Sequence, residues 1–571
     1  STSGNLNIVL WSNSNSSNGG RIEIGDGVNL LSNGGNITLG GGSNPSTGYA
    51  DGLTVARGLY VGASAFIAAN GGDISIRGKT SWNDYAWAVD ISGNVSTNGN
   101  GNITIDGYAS TGNHWTYGVL LRNAAVVQAQ NGTINITGQG WGNSSTDRGV
   151  VLENTSQINV TGSGTTNITG KAGSAVGLYL RNTSKISNAS GQITISTDQL
   201  WMDSTTRISS NGASLAELTV KPTTAGRRIG IGSYDAGLNF TAYYISTNFV
   251  DGFKKITLGS SSSGVLILSS NISFYDPLSL VSGGKFEVAS GGVYSTITGN
   301  NNDLTVSGGD TMYFSHTVNL GNGSLIKEGS GDLRNNGGTH TYSALKINNG
   351  SVSMPASNFA STPDVYVATG AEWSGVYSGT VKSISGAGTI SSIDYLTISS
   401  PNGETFSGTL ESHAINDALI KNGTGTLTLS GNNSSFNGNI IVNQGTLIAS
   451  HASALGTSTY GTTVASGATL DVRANVGAEP IILNGGTLST PIGTVSMTGP
   501  VTLDANSNIS VGGTQLSLSG VIGDGAGNYG NTNSYGFTKT GNGSLLLSGA
   551  NTYRGATTIS AGSLQSGTSN V

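Results

Sequence analysis

The sequence contains no cysteine, so neither disulfide bonds nor thiol chemistry can take part in its folding or function. Only 9% of its 571 residues are charged, well below the roughly 25% that is usual in globular proteins. The 24 Lys and Arg residues are outnumbered by 30 Asp and Glu residues and are widely spread, which argues against nucleic-acid binding. No apolar stretch approaches the roughly 18 residues needed to span a bilayer as a helix.

What the chain has instead is glycine, with 90 residues, together with recurring Ile, Val, Thr and Leu. A disordered chain would be poor in β-branched residues and rich in net charge, whereas the net charge here is only −6. The Gly, Asn and Ser residues between apolar segments suit tight turns. The composition therefore favours a folded protein built from many short strands.

One unit of sequence is written five times between Gly58 and Ser196. Its most regular segments start 30, 30, 31 and 28 residues apart, and each unit carries short segments that alternate apolar with polar residues. A second and a third alternating segment accompany most of the copies. The first segments are Gly58-Leu59-Tyr60-Val61, Ala88-Val89-Asp90-Ile91, Gly118-Val119-Leu120-Leu121, Gly149-Val150-Val151-Leu152 and Gly177-Leu178-Tyr179-Leu180.

This period predicts an all-β protein, a right-handed parallel β-helix with three strands per coil. Residues about thirty apart, such as Val89 and Val119, should be vertical neighbours. One irregular insertion is expected near residues 226–258, where Tyr243, Tyr244 and Phe249 interrupt the rhythm and should pack the insertion down.

Two stretches carry resemblances to known families. Val9-Leu10-Trp11 followed by the glycine-rich strand from Gly34 to Gly42 resembles the filamentous-haemagglutinin-like exoproteins of bacterial two-partner secretion. In that family these strands lie just beyond the N-terminal secretion domain. The chain also begins at Ser1 without Met or a leader, so we expect it to be a mature or excised part of a longer protein.

The second resemblance lies in the C-terminal half. Segments starting at Leu419 and Phe537 are similar to the autotransporter-associated β-strand repeat, with a degenerate copy starting at Leu325. Each copy has Lys two residues after its start, followed by Gly at alternate positions. Phe436 stands where the repeat has Tyr, and we expect it to be packed as the Tyr would be.

From these patterns we expect four regions. Residues 1–56 are entry coils, 57–215 regular coils with aromatic turns, 216–290 an irregular coil with the insertion, and 291–571 a β-helical stalk with autotransporter-type repeats.

The resemblances imply a secreted bacterial adhesin that mediates cell-surface, cell–cell or biofilm-matrix attachment. They also imply an outer-membrane secretion barrel as transport partner, a host-cell or matrix glycan or exopolysaccharide as ligand, and a location outside the cell or on its surface. No cofactor, metal, nucleic acid or membrane span is expected. A purely structural spacer that displays a distal binding domain is the alternative without binding activity.

A polysaccharide lyase or hydrolase is the enzymatic alternative, because parallel β-helices also include pectate lyases and polygalacturonases. Such sites gather acidic residues on consecutive coils. Here the repeat alignment puts Leu121, Leu152 and Leu180 level with Asp90, and Gln139 level with Asp106. The five histidines are scattered singly. With no convergent carboxylates, we expect no catalytic residues and no enzyme activity.

The candidate binding site is a set of aromatic side chains at equivalent turns of three successive coils. Stacked coils should bring these turns together at one edge, where aromatic rings could contact sugar rings. The alternative is that the aromatics only cover the edge of the solenoid. The glycan-binding candidates are Trp82, Tyr85, Trp87, His114, Trp115, Tyr117 and Trp141.

Overall fold

The computed structural model describes most of the chain. The described residues are 5–13, 19–52, 56–81, 84–110, 114–141, 144–173, 175–211, 215–232, 237–288, 295–314, 316–335, 337–415, 417–525 and 534–567, with the side chain of Val288 left out. They divide into two compact units, Ser1–Tyr313 and Phe314–Val571.

The repeated segments are parallel strands that stack coil upon coil. In Ile74–Thr80 and Ile103–Ala109 every second side chain is buried, as the alternation predicts. The inward side chains form columns of mostly aliphatic residues, and in the following column each residue is at most 1% exposed. One column contains Ile76, Ile105, Ile136, Ile168, Ile195, Val220, Leu258, Leu280 and Val306. These columns are the core of the first unit.

Three sheets surround this core. The strands of sheet one are Ile8–Ser12, Ile37–Gly41, Ala50–Asp51, Ile74–Thr80, Ile103–Ala109, Ile134–Gln139, Thr166–Lys171, Gln192–Thr197, Glu217–Lys221, Lys255–Gly259, Leu278–Ser282 and Leu304–Gly308. Those of sheet two are Ile22–Ile24, Arg57–Val61, Trp87–Ile91, Tyr117–Leu121, Arg148–Leu152, Leu178–Leu180 and Leu200–Met202. Those of sheet three are Asn29–Leu31, Phe66–Ala68, Asn94–Ser96, Val126–Ala129, Gln157–Val160, Lys185–Asn188 and Arg207–Ser210.

Glycine at the end of the sheet-one strands lets sheets one and two approach closely. Gly107 lies in register with Gly78 and Gly138. A β-carbon on Gly107 would lie 1.9 Å from the carbonyl oxygen of Gly118, so no larger residue fits. The glycine column therefore sets where each coil turns from sheet one into sheet two.

The predicted insertion is present and is packed by aromatic side chains. Ile229–Ile231 pairs with both Leu238–Phe240 and Leu266–Leu268, and the chain then makes a π-helical turn at Tyr244–Asn248. Phe249 is 2% exposed and forms a bridge to Ile208 of sheet three. Tyr244 is buried as expected, whereas Tyr243 is 44% exposed. The first unit is completed by Ile272–Ser273, Phe286–Val288, Thr296–Thr298 and Met312–Tyr313.

The second unit has shorter coils. Leu427, Leu447, Leu470, Leu488 and Ile509 are successive partners in one ladder, spaced 20, 23, 18 and 21 residues apart. Most of these coils contribute one strand to each of two sheets, because about ten fewer residues per coil leave little chain for a third strand. Phe436 is fully buried, as expected for the aromatic position of the repeat.

The strands of the second unit fall into four groups. One main sheet holds Ser324–Glu328, Ala344–Ile347, Asp364–Val367, Ser383–Gly386, Glu404–Phe406, Thr426–Leu429, Thr446–Ala449, Thr469–Val472, Thr487–Thr490, Ser507–Val511, Phe537–Thr540 and Thr557–Ile559. The other holds Asp332–Arg334, Ser351–Ser353, Glu372–Ser374, Tyr377–Val381, Thr389–Ile398, Thr409–Ser412, Asp417–Lys421, Gly438–Val442, Thr462–Ala465, Ile481–Asn484, Val501–Ala505 and Ile522–Gly523. Smaller groups are Thr317–Asn319 with His340–Thr341, and Thr494–Met497, Gln515–Leu518, Ser544–Leu547 and Ser563–Ser566.

The parallel β-helix predicted from the repeat is confirmed. Val89 and Val119 are direct partners in sheet two, and three strands per coil hold across sheets one to three. Besides the π-helical turn there is one 3-10 turn, Ala356–Asn358, and none of the described helices could span a bilayer. The boundaries expected at residues 56, 215 and 290 remain predictions.

Candidate functional site

Two of the predicted aromatic residues form an exposed stacked pair. Asp84 and His114 are bridged in parallel, which brings the following residues, Tyr85 and Trp115, one above the other. Their rings are 5° from parallel with centroids 6.4 Å apart. Tyr85 is 62% exposed and Trp115 39% exposed. The equivalent turns are therefore stacked as the repeat predicts, and both aromatic rings reach solvent.

Hydrogen bonds to the next coil hold the Trp115 turn in place. His114 Nδ1 lies 3.1 Å from Ser144 Oγ, and the Trp115 amide donates to Thr146 Oγ1 at 3.1 Å. The amide and hydroxyl of Thr116 both donate to one carboxylate oxygen of buried Asp147, at 3.0 and 2.9 Å. These contacts fix the backbone under the exposed indole.

The other predicted residues have different surroundings. Trp82 lies outside the described residues. Trp141 is 43% exposed and follows the strand Ile134–Gln139, but no ring contact to Trp115 is found among the described side chains. Trp87 and Tyr117 are not in turns: they are the first residues of paired sheet-two strands. Tyr117 is 8% exposed and packs with Leu120 and Val151, and this burial raises its pKa to about 12.

Trp87 and Tyr117 belong instead to a second surface, the outer face of sheet two, where aromatic rings alternate with arginine. We name it the aromatic–arginine face. It consists of Arg57, Tyr60, Trp87, Asp90, Tyr117, Arg122, Arg148, Glu153, Tyr179, Arg181 and Trp201.

A buried carboxylate anchors one end of this face. The Asp90 side chain is fully buried, and Arg122 Nε and Nη2 donate to its two oxygens at 3.0 and 2.8 Å. Arg57 Nε lies 3.0 Å from Oδ2 of the same carboxylate. Burial raises the pKa of Asp90, and the two guanidinium groups oppose that rise. The paired arginines are thereby held next to the aromatic rings.

The guanidinium groups stack on these rings. The Arg57 guanidinium carbon lies 4.3 Å from the ring centroid of Tyr60, and that of Arg122 lies 5.0 Å from the ring of Trp87. Further along the face, Tyr179 and Trp201 stack with centroids 4.4 Å apart, and Trp201 is 38% exposed. Arg148 and Arg181 flank the Tyr179 ring at 4.8 and 5.7 Å.

The strand register corrects the residues that the sequence alignment placed beside Asp90 and Asp106. That alignment was the basis for expecting no stacked carboxylates. Asp90 pairs with Tyr60 and Leu120, one position before the leucines that the sequence alignment placed level with it. Asp106 pairs with Arg77 and Thr137, not Gln139, and its carboxylate forms an ion pair with Arg77 at 2.6 Å. The comparison had slipped by one residue at Asp90 and by two at Asp106, and a slip of one moves a side chain to the other face of the strand.

The sequence reasoning missed Arg57, Arg122, Arg148, Arg181, Tyr179 and Trp201. A signal for part of this set was present, since Tyr60, Asp90, Leu120, Val151 and Tyr179 occupy the same outward position of the repeat. Arg57 and Arg148 lie on one ladder with Trp87 and Tyr117. Arg122 and Arg181 carried no such signal, because each follows a strand and reaches a carboxylate on the preceding coil. Among the described residues, no group of three or more His, Asp or Glu side chains could hold a metal ion.

Replacing Asp90 with asparagine should weaken this part of sheet two. The change keeps the shape but removes the charge that two arginines share, so we expect local opening to become easier by about 2 kcal/mol. Hydrogen exchange of the amides of residues 87–91 and 117–122 measures the free energy of this local opening. Glu23→Gln is the matched control, because Glu23 and its partner Arg21 are both exposed and should contribute under about 0.5 kcal/mol. Equal exchange in both variants would show that the Asp90 cluster contributes no stability.

The fold and these surfaces place the chain among β-helical repeat proteins that present ladders of side chains on the outside of their coils. The family of passenger-associated transport repeats matches residues 419–449 and 537–565. Over 271 residues the chain is 30% identical to the "Adhesin BmaC autotransporter" of Brucella suis biovar 1 (strain 1330), covering 46% of this chain and 7% of that protein. No solved structure matches. These findings support an autotransporter-type adhesin passenger.

Proposed function

We propose that this chain is part of a secreted bacterial adhesin whose β-helix binds polysaccharide through the exposed aromatic pair Tyr85–Trp115. The observation that carries the proposal is the parallel arrangement of the two rings on successive coils, with both rings open to solvent. A flat, exposed aromatic surface suits the apolar faces of sugar rings, and it is held by a turn that is already ordered. The other candidates from the sequence, Trp82, Trp87, His114, Tyr117 and Trp141, remain part of the proposal.

The biological setting proposed is attachment of the cell to host surfaces, to other cells or to biofilm matrix. The similarity to an autotransporter adhesin supports a location outside the cell or on its surface, and an outer-membrane barrel as the transport partner. Secretion with a separate barrel, as in two-partner systems, remains a proposal that rests on Val9-Leu10-Trp11 and the strand from Gly34 to Gly42. No catalytic residue is proposed, because neither Asp90 nor Asp106 has a carboxylate as its ladder partner.

Alanine at both Tyr85 and Trp115 should weaken binding to neutral glycans at least about tenfold, since central aromatic contacts carry much of the affinity of an interface. A glycan array followed by titration of the best ligand, with the full chain, measures this. Tyr395→Ala is the matched control, because Tyr395 is 51% exposed and lies in the second unit. The circular dichroism of the double variant should equal that of the original protein.

Trp201→Ala separates the two aromatic surfaces. If it removes binding while the Tyr85 and Trp115 variant retains it, the aromatic–arginine face is the binding site and our assignment is wrong. If neither change affects attachment of whole cells that display the protein, the chain acts as a spacer.

A further inference from the structure

An open cavity of about 550 Å³ lies on the outer face of sheet three, away from both aromatic surfaces. Its floor comes from the paired strands Lys185–Asn188 and Arg207–Ser210. The insertion forms one wall, because the Val250 amide donates to the Ile208 carbonyl at 2.9 Å and so extends the sheet. The lining residues are Lys185, Arg207, Ser209, Ser210, Asn211 and Val250.

Two positive charges meet in this cavity. Lys185 and Arg207 are direct ladder partners, and like charges at paired positions repel. Among the described residues, no carboxylate lies within 4.0 Å of either head group. Lys185 Nζ donates only to Asn211 Oδ1, at 3.4 Å, and Arg207 Nη1 donates to the carbonyls of Ser204 and Thr206. The arrangement thus lacks the negative charge that would offset the repulsion.

A buried hydroxyl in the same cavity also lacks a partner. Ser209 is only 6% exposed, and its Oγ makes no hydrogen bond. A buried polar group without a partner is destabilising, and few remain in folded proteins. An acceptor oxygen placed between Ser209, Lys185 and Arg207 would satisfy the hydroxyl and both charges together.

Amide side chains continue from the cavity along sheet three. Asn211 Nδ2 donates to Asn159 Oδ1 at 3.1 Å, and Asn159 Nδ2 donates to Gln128 Oε1 at 3.3 Å. Ser187 Oγ donates to the same Asn159 oxygen at 3.0 Å. Side-chain amides both donate and accept hydrogen bonds, so this row can bind sugar hydroxyl groups whether they act as donors or as acceptors. The row favours a sugar chain over an isolated inorganic anion.

We propose that this cavity binds the carboxylate of a uronate residue in an acidic polysaccharide, with the neighbouring sugars lying along the amide row. A planar carboxylate fits the fork of an arginine, which is a reason to prefer it over a sulfate ester. The inference rests on the proposed function in that the ligand is a glycan, but it names a separate site and a charged class of ligand.

The test compares the full chain and its variants against an oligogalacturonate, a sulfated heparin oligosaccharide and a neutral chito-oligosaccharide. Gln at both Lys185 and Arg207 should weaken oligogalacturonate binding at least about tenfold and leave neutral binding unchanged. Ser209→Ala should weaken it about fivefold, the loss of one hydrogen bond. The matched control is Gln at both Lys254 and Lys382, which removes two positive charges that do not line the cavity.

The outcomes separate the two proposals. If the control double variant loses as much affinity as the cavity variant, the attraction is a general charge effect and the site is refuted. Tighter binding of the sulfated probe than of oligogalacturonate, lost in the cavity variant, would overturn the choice of carboxylate. If the original protein binds the neutral glycan but not oligogalacturonate, this inference alone fails. If it binds none of the three, the proposed function fails with it.

Discussion

Replacing Lys421 with methionine is expected to ease local opening of its coil by about 2–4 kcal/mol. Lys421 is only 3% exposed although it is charged. Its Nζ donates to the carbonyl oxygens of Gly423 at 2.5 Å and of Gln444 on the next coil at 3.0 Å. Methionine fills the same space without a donor, so both carbonyls would lose this partner, and that of buried Gly423 would be left unsatisfied.

The same arrangement recurs at the other copies of the repeat, which is why we expect the effect to be general. Lys539 donates to the carbonyls of Thr540, Gly541 and Ala561, and Lys327 donates to those of Glu328, Gly329 and Asn349. Each ammonium thus closes its own turn and ties it to a residue about 22 positions later. Three donors on one point charge suit this task, whereas a hydroxyl or amide would leave carbonyls without partners.

Hydrogen exchange of the amides of residues 417–449 in the full chain measures the change. Burial lowers the pKa of Lys421 to about 8, so the measurement belongs near about pH 6, where the ammonium keeps its proton. Lys382→Met is the control, because that side chain is 42% exposed and pairs only with Asp364 at the surface. Unchanged protection in the Lys421 variant would mean that the carbonyls find water instead and that the lysine is dispensable.

The burial of these lysines could not be predicted from the sequence. The motif containing Lys421 and Lys539 and its strand pattern are both visible in the sequence. Its lysine, however, could not be placed inside the core, because the period-2 rule marks only apolar residues as inward. The ammonium is buried there because turn carbonyls point into the end of the coil, a fact of backbone geometry. The glycine two residues after each lysine helps to form this turn, but a glycine in the sequence does not show which way the turn carbonyls point.

In the first unit the repeat period predicts backbone neighbours but not the partners of polar side chains. The thirty-residue period correctly predicted that Val89 lies beside Val119. The stacking of Tyr85 on Trp115 is a finding of the structure, since the period indicated only that these residues lie on equivalent turns. The period could not predict the partners of Asp90, because Arg122 reaches back from the next turn rather than from a ladder position. The repeat spacing therefore predicts which backbone segments are adjacent. The partners of long polar side chains depend on side-chain length and burial, which the spacing does not show.

Replacing Glu479 with glutamine is expected to remove a pH dependence from the second unit. Glu479 is 3% exposed, and its Oε1 accepts one hydrogen bond, from Thr462 Oγ1 at 2.8 Å. Burial raises its pKa from 4.5 to about 8. Between these values the unfolded chain has released the proton that the folded chain still holds. The stabilising contribution of protonated Glu479 is therefore complete below about pH 4.5 and is lost as the pH rises through about 8.

This pKa difference corresponds to a change of about 3–5 kcal/mol in the free energy of unfolding between the two ends of this pH range. Protection of the amides of residues 462–484, corrected for intrinsic exchange, should fall between about pH 5 and pH 8 in the original protein and stay level in the Glu479→Gln variant. Glu411→Gln, at a partly exposed position, is the control and should keep the slope. A slope that survives in the Glu479 variant would assign the titration to another group. Because a neutral amide can keep the Thr462 hydrogen bond, the variant should be more protected than the original protein at about pH 8, which a purely disruptive mutation could not produce.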